Sequence, residues 1–184
     1  MTKTILGFDI SSTTTAYAVL EIDEKTKDIK FIKSEYIKPL KKGTILERVA
    51  DTRNKIQKII NDVKPDYIGI EDIVSFIRNK STARTVITLT TFNRMIGLLS
   101  YDYLKDSPEL LSVLAIRHGL KVNNIFPAKD DMPELVAKHL GIKFPYEFNK
   151  KGKIKVENGD KADAMAVALY YAFILTGKAK VKKK

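Results

Sequence analysis

The chain begins with an apolar stretch, residues 5–8, that ends on the carboxylate of Asp9. Apolar or small residues in an unbroken row need cover on both faces, which is typical of an interior β-strand. Two later segments rich in Thr, Tyr, Val and Ile, residues 13–22 and 29–37, predict a second and a third strand. The linkers between these strands are turn-like, so we expect an antiparallel meander.

A helix should follow the meander, because apolar residues then recur at helical spacing from Gly43 and Thr44 to the Lys64-Pro65 stop. The apolar segment 67–71 predicts a fourth strand, which ends on Glu71. Since a helix separates it from the first strand, the two should run parallel through a right-handed crossover.

The second half of the chain predicts four helices and one more strand. We expect a long helix over residues 81–105, a shorter one over 108–118 capped by Gly119, a strand over 121–126, a helix over 134–140 ending at Gly141, and a final helix from 158 or 159 to about 176. The predicted order is βββαβααβαα, an α/β fold in which three antiparallel strands and two parallel strands form one mixed sheet flanked by helices.

Length and composition predict a single domain over residues 1–177, since the 184 residues include no Pro/Gly/Ser-rich linker and 44% are hydrophobic. Residues 178–184 form a basic tail, which we expect to be disordered. The absence of cysteine excludes disulfides and thiolate chemistry. The longest apolar run, residues 164–175, is too short to span a bilayer and no secretory signal is evident, so we expect a cytoplasmic protein without a membrane partner.

The formal net charge of +11 favours a polyanionic partner, with nucleic acid first. Cations and aromatic rings alternate in the segment 142–156, which includes Lys150, Lys151 and Lys153. Such alternation suits a nucleic-acid backbone and its exposed bases, and it is equally compatible with a solvated loop. His118 and His139 are far apart and are interpreted as surface or helix-end residues.

Four carboxylates recur at the ends of predicted elements: Asp9 and Glu71 end strands, and Asp160 and Asp163 open the final helix. Helix positions i and i+3 share a face, so the last two can point into one cleft. Carboxylates gathered from distant segments suit divalent metal ions. Each acid also has a structural explanation taken alone: Asp160 at a helix N-terminus, Asp9 as a turn cap. Asp72 is expected to face solvent or form an ion pair.

The order of elements and acids resembles the ribonuclease H-like superfamily, and within it the RuvC-type Holliday-junction resolvases. The resemblance covers nearly the whole chain. It is carried by Ile5-Leu6-Gly7-Phe8-Asp9 with Thr15-Ala16-Tyr17-Ala18-Val19, by Ile70-Glu71, by Arg78-Asn79, and by Asp160-Lys161-Ala162-Asp163-Ala164 at the start of an Ala-rich helix.

The resemblance implies a structure-specific endonuclease that nicks four-way DNA junctions symmetrically as a homodimer. Hydrolysis of a phosphodiester would use two Mg²⁺ ions per site, with Mn²⁺ as a substitute, held by Asp9, Glu71, Asp160 and Asp163. Residues near the cleft, Phe76, Arg78, Lys80 and Arg84, are expected to bind DNA, with Phe76 alternatively a core residue. The family pattern places Lys129 near the scissile phosphate. The wide apolar face of the helix over 81–105 is the expected dimer surface, with packing in the core alone as the alternative.

Two departures from the family indicate a divergent branch, such as one from a phage or virus. Ile10-Ser11 and Thr15-Ala16 stand where the family has Pro-Gly and Thr-Gly, and the short segment 127–133 replaces a Gly-rich basic one. Three alternatives therefore stay open: a broader branched-DNA nuclease, a relative that binds nucleic acid without catalysis, and a phosphate-binding domain of the actin-like ATPase type. The last is suggested by Ser11-Ser12-Thr13-Thr14 after Asp9.

Overall fold

The computed structural model describes residues 1–73 and 82–179. In this part of the chain, five strands form one mixed sheet: β1 (Thr2–Ile10), β2 (Thr15–Asp23), β3 (Ile29–Ile37), β4 (Tyr67–Glu71) and β5 (Glu109–Leu111). Their order across the sheet is β3-β2-β1-β4-β5. β1, β2 and β3 pair antiparallel, whereas β4 runs parallel to β1 and β5 parallel to β4. The predicted mixed sheet is confirmed.

Helices cover both faces of this sheet. They are α1 (Ile45–Val63), α2 (Ala83–Leu104), α3 (Val113–Leu120), α4 (Met132–Leu140) and α5 (Glu157–Leu175), with a 3-10 turn at Lys129–Asp131. α1 and α2 cover one face, where Phe8 and Ile70 are buried against Ile56 and Phe92. α3, α4 and α5 cover the other face. Strands buried on both sides explain the continuous apolar runs of β1 and β4.

The packing of α5 against β1 depends on Gly7. A Cβ at this position would lie 2.6 Å from the backbone nitrogen of Ala168 and 2.9 Å from the carbonyl oxygen of Ala164. Such distances are shorter than van der Waals contact, so only glycine lets the helix lie directly on the strand. Because Asp160 precedes Ala164 by one helical turn, this contact brings the first turn of α5 to the carboxyl end of β1.

The start of α1 is fixed by Thr44, as the sequence predicted. Its hydroxyl oxygen accepts a hydrogen bond from the backbone N–H of Glu47 at 3.2 Å, and the Glu47 carboxylate accepts one from the backbone N–H of Thr44 at 2.7 Å. This reciprocal pair is a capping box, which satisfies two of the unpaired donors at a helix start.

The prediction for the fifth strand was wrong. The strand lies at Glu109–Leu111, inside the segment predicted as a helix, and α3 follows it. Ser112 separates the two elements, because its hydroxyl caps the backbone N–H of Ala115 at 3.2 Å. A strand of three residues is too short to show alternation, so the apolar run around it was interpreted as helical. The observed order is βββαβαβααα.

The segment predicted as that strand, residues 121–126, contains a tight turn. Asn123 and Asn124 have positive φ angles of 52° and 61°, and Val122 pairs with Ile125 across them. Gly119 was also misassigned as a helix cap, since it lies within α3. Its missing side chain makes room for the ring of Tyr170 on α5.

Among residues 1–73 and 82–179, no helix is both long enough and apolar enough to cross a bilayer. The predicted DNA-binding residues Phe76, Arg78 and Lys80 lie outside the described residues, as does most of the predicted basic tail, residues 180–184.

Candidate active site

Asp9 and Glu71 lie side by side at the carboxyl edge of the sheet. Phe8 pairs with Ile70 in the parallel ladder of β1 and β4, so the next residue of each strand is an acid. Because side chains alternate along a strand, Asp9 shares the face of Gly7, and Glu71 shares the face of Gly69. Both glycines face α5, with Gly69 against Tyr171 and Val167. The two carboxylates therefore point towards the helix that carries the other two acids.

Asp160 and Asp163 lie in the first two turns of α5, which runs back along β1 from its carboxyl end. Their spacing of three residues puts them on one face of the helix. Asp163 is largely buried, with a side chain 15% exposed. The structure thus brings the four acids predicted from the sequence to one edge of the sheet.

The other three acids act on the charge of Asp9. Burial raises the pKa of Asp9 well above its ordinary value, and the negative charges of Glu71, Asp163 and Asp160 raise it further. Lys129 opposes this effect. Carboxylates that share a site repel one another when ionised, so without a cation the protonated form of Asp9 is favoured.

Glu71 behaves in the same way. Burial, followed by the charge of Asp163, raises the pKa of Glu71 to about 7, and Lys129 and Arg117 act against the increase. Burial also raises the pKa values of Asp160 and Asp163, and Lys129 again opposes the shift of each. Arg117 lines a small cleft with Glu71 and Asp163.

Three further residues of this region were not predicted as members of the carboxylate site. Arg117 belongs to α3, a helix whose start was misplaced. Asn93 on α2 is 2% exposed and donates a hydrogen bond from Nδ2 to the carbonyl oxygen of Glu71 at 2.9 Å, which fixes the end of β4. Thr14 lies buried against Asp160. A polar residue on an otherwise apolar helix face was the available signal for Asn93.

The donor set fits a hard divalent cation. It consists of carboxylate oxygens, which Mg²⁺ and Mn²⁺ prefer, and the crowding of negative charge around Asp9 would be relieved by a bound cation. Over the residues that the structure describes, no three acidic or imidazole side chains are already close enough together to hold an ion. Coordination would therefore draw these carboxylates closer together than they lie here.

Among the predicted DNA-binding residues that the structure describes, Lys129 reaches the cluster. Its Nζ lies 3.6 Å from Oδ2 of Asp163, and its side chain is 64% exposed. Arg84 is exposed near the start of α2 and lines a groove with Gly43, Thr44 and Arg48. Arg48 donates hydrogen bonds to the carbonyl oxygens of Ser12 and Leu40, so this groove borders the turn that follows β1.

Lys150, Lys151 and Lys153 lie exposed at the tip of a β-hairpin formed by residues 147–155, hereafter the lysine hairpin. Phe148 pairs with Ile154 across it, and Asn149 closes the tip by accepting hydrogen bonds from the backbone N–H groups of Lys151 and Lys153. The segment is therefore an ordered hairpin, and the predicted cations share its solvent-exposed end.

Asp72, His118 and His139 lie outside the carboxylate cluster, in the surroundings that the sequence predicted. Asp72, next to Glu71, forms an ion pair with Arg94 at 3.4 Å. His118 and His139 lie in the last turns of α3 and α4, and the His139 ring is hydrogen bonded to the carbonyl oxygen of Leu120. Neither histidine contributes to the carboxylate cluster.

Comparison with known proteins gives relatives over nearly the full length. The crossover junction endodeoxyribonuclease RuvC of Rickettsia conorii is 22% identical over 164 residues, covering 89% of this chain and 93% of its own. The structure of Thermus thermophilus RuvC in complex with a Holliday junction matches with a TM-score of 0.72 and 16% identity, covering 96% of this chain and 98% of that one.

The yeast mitochondrial Holliday junction resolvase Ydc2 matches with a TM-score of 0.65 and 15% identity, covering 95% of this chain and 79% of that one. These structural likenesses confirm the predicted ribonuclease H-like fold. A sequence profile of the family described as crossover junction endodeoxyribonuclease RuvC matches residues 5–105, more than half of the chain. The protein whose sheet edge gathers these four acids therefore belongs to the RuvC family of crossover junction endodeoxyribonucleases.

Proposed function

We propose that this protein is a metal-dependent endonuclease that nicks four-way DNA junctions symmetrically. The observation that carries the proposal is the convergence of Asp9, Glu71, Asp160 and Asp163 at one sheet edge, where three of the acids raise the pKa of the fourth. Membership of the RuvC family and the likeness to a RuvC structure in complex with a Holliday junction support the junction as substrate.

Asp9, Glu71, Asp160 and Asp163 would hold two Mg²⁺ ions, or Mn²⁺ in their place. Such ions would neutralise the scissile phosphate, activate a water and stabilise the leaving oxygen. Asp9 would hold metal together with the other three acids, since the charges of Glu71, Asp163 and Asp160 all act on it. Asn93 holds the end of β4 through the carbonyl oxygen of Glu71, which keeps that carboxylate at the cleft.

Lys129 and Arg117 are two basic residues that act on Glu71 and Asp163. Because Lys129 is exposed and only 3.6 Å from Asp163, it can exchange that carboxylate for a DNA phosphate. Arg117 lies in the cleft with Glu71 and Asp163, where it limits the repulsion between the two acids. Lys129 would thus place the backbone next to the carboxylates.

DNA arms would be bound by basic surfaces on both sides of this edge. Arg84 lines the groove next to the turn after β1, and the lysine hairpin precedes α5 directly. The formal charge of +11 adds a long-range attraction for DNA. Cations on either side of the acids would let the protein contact two arms of a junction.

Symmetric cleavage of a four-way junction needs two equivalent sites, which a two-fold homodimer supplies. The exposed side of α2 supports this arrangement, because it carries three large apolar side chains that are at least half exposed, Ile87, Leu98 and Tyr101. Large apolar side chains on the outside of a helix are typical of an interface. We therefore assign the dimer contact to this face of α2.

The actin-like alternative is weakened by the loop after β1. Ser11 Oγ accepts hydrogen bonds from the backbone N–H groups of Thr13 and Thr14 at 3.2 and 2.9 Å. The backbone N–H of Ser11 donates to the carbonyl oxygen of Thr14 at 2.9 Å. These amides already have partners, whereas a phosphate-binding loop presents free amides to its ligand.

The proposal is tested by incubating the purified protein with end-labelled four-way junction, fork and linear duplex, each with Mg²⁺ or with EDTA. We expect paired nicks at symmetry-related positions of the junction, only with metal, and intact duplex. Equal cleavage of fork and junction would favour a broader branched-DNA nuclease. Cleavage that persists in EDTA, or an intact junction in Mg²⁺, would refute the proposal.

A further inference from the structure

The first two turns of α5 present two opposite faces. Asp160 and Asp163 lie on the face that turns towards the carboxylate cluster. Asn158 and Lys161 also lie three residues apart, and at 100° per residue their face is turned away from the acids by nearly half a turn. Both Asn158 and Lys161 are 2% exposed, so this second pair of polar residues is buried.

Lys161 directs its charge at the segment that leads into the lysine hairpin. Its Nζ donates hydrogen bonds to the carbonyl oxygen of Pro145 at 2.9 Å and to Oε1 of Glu147 at 3.1 Å. A buried ammonium is costly unless it is paired, and removing its partner leaves an uncompensated charge. These contacts therefore hold residues 145–147 firmly against the helix.

The side chain of Asn158 binds the backbone of the same segment. Its Oδ1 accepts a hydrogen bond from the N–H of Glu147 at 2.9 Å, and its Nδ2 donates to the carbonyl oxygens of Glu147 and Lys155 at 2.8 and 2.9 Å. Glu147 and Lys155 are the two ends of the lysine hairpin. One side chain of α5 thus holds both strands at the base of the hairpin.

Glu147 adds a third link across that base. Its other oxygen, Oε2, accepts a hydrogen bond from Nζ of Lys155 at 2.8 Å. Glu147 therefore joins Lys155 of the hairpin to Lys161 of the helix, and these two hydrogen bonds lower its pKa below the ordinary value. The side chains of Asn158, Lys161 and Glu147 consequently attach the base of the hairpin to the acid-bearing turns of α5.

From this arrangement we propose that Lys161 and Asn158 are positioning residues that set which phosphate of a DNA strand is cut. The inference rests on the proposed nuclease function. DNA held by Lys150, Lys151 and Lys153 lies at a fixed distance from Asp160 and Asp163, because the hairpin and the two acids are attached to opposite sides of the same helical turns. If the base of the hairpin were loosened, the distance between the bound DNA and the two acids would vary.

The test maps nicks at nucleotide resolution on a four-way junction whose branch point cannot migrate. We compare the wild type with Lys161→Met, which keeps an unbranched side chain of nearly the same length and removes its charge. We expect the wild type to nick one phosphate per strand and the variant to spread its nicks over neighbouring phosphates, while junction binding in EDTA stays within about twofold. Lys3→Met is the matched control and should keep the single wild-type nick, since Lys3 also pairs with a carboxylate, that of Asp66, at the end of β1 far from the acids.

If Lys161→Met does not fold by circular dichroism, Glu147→Gln gives the same comparison, because Glu147 is more exposed and its backbone contacts with Asn158 remain. Nicks at the single wild-type position in the folded variant, whatever their rate, would overturn the inference and leave the nuclease function intact. A wild type that fails to nick the junction would instead refute the function itself.

Discussion

Lys129 Nζ lies 3.6 Å from Oδ2 of Asp163, an exposed cation over a largely buried carboxylate. The residues come from the 3-10 turn before α4 and from the second turn of α5. The pKa values of Asp9, Glu71, Asp160 and Asp163 are all raised, and the positive charge of Lys129 opposes the increase in each case. Its charge therefore acts on the whole cluster, although its direct contact is with one member.

Replacing Lys129 with Met should raise the pKa of Asp163 in the metal-free protein, because the opposing positive charge is removed. The measurement is a titration of side-chain carboxyl signals by nuclear magnetic resonance in EDTA. Lys150→Met removes the same charge from the tip of the lysine hairpin and should leave the pKa of Asp163 unchanged. An identical titration of Asp163 in Lys129→Met and wild type would contradict the assigned ion pair.

The sequence predicted the acids of the site better than the residues that act on them. Asp9 and Glu71 end apolar strands, and Asp160 and Asp163 open an apolar helix, so each position is visible in the local pattern. Their catalytic role stays a prediction. Arg117 and Asn93 could not be placed in the same way, because their contacts with Glu71 depend on how α3 and α2 pack.

The short β5 was missed for a related reason. Its three residues become a strand by pairing with Gly69, Ile70 and Glu71 of β4, and this tertiary contact overrides a weak local signal. Lys161 was likewise visible only as one residue of the Asp160–Asp163 motif. Its burial and its contact with Glu147 follow from the docking of the lysine hairpin.

The stability of the metal-free protein should fall as the pH rises from about 4.5 to about 7. Glu71 has a pKa of about 7 in the folded protein, raised from 4.5, so in this window the folded state binds more protons than the unfolded state. Unfolding free energy then decreases with pH, by at most about 3 kcal/mol for this group, and levels off above the folded-state pKa.

Urea unfolding in EDTA at a series of pH values measures this slope. Glu71→Gln should flatten the part of the slope that Glu71 contributes, whereas Glu24→Gln, on the distant turn between β2 and β3, should keep the wild-type slope. If the free energy of unfolding of the wild type rises between about pH 4.5 and 7, the buried carboxyl groups do not dominate its pH dependence.

Junction binding should weaken steeply with salt, since lysines that neutralise phosphates release counterions. Changing Lys150, Lys151 and Lys153 together to Gln should reduce the slope of log K against log salt by about 0.9 for each phosphate that the variant no longer neutralises. The control triple, Lys25, Lys27 and Lys30 to Gln, changes the net charge equally near the opposite edge of the sheet. Equal slopes for the two triples would remove the lysine hairpin from the DNA interface.

Leu98→Glu should convert the proposed dimer to monomers, because it places a charge in the apolar face of α2, where the leucine side chain is 62% exposed. Sedimentation velocity reports the species directly. Leu114→Glu on α3 is the matched control, since that leucine is 72% exposed on a different helix. A wild type that sediments as a monomer, or a Leu98→Glu variant that stays dimeric, would exclude this face as the interface.

Asp163→Asn should abolish most cleavage while the protein still folds and binds junctions. The substitution preserves the shape of a side chain inside α5 and removes the charge that would hold a metal ion. We expect the single-turnover nicking rate to fall by orders of magnitude, because the metal ions would supply both the activated water and the stabilisation of the leaving oxygen.

Junction binding of Asp163→Asn in EDTA should hold or tighten, because one negative charge leaves a cleft that receives phosphate. Asp72→Asn provides the control, since Asp72 follows Glu71 directly and pairs with Arg94 outside the cluster. It should nick within a few-fold of the wild-type rate. Nicking by Asp163→Asn at a rate near that of Asp72→Asn would show that the Asp163 carboxylate only stabilises the helix, and the metal ligands would then have to be sought among the remaining three acids.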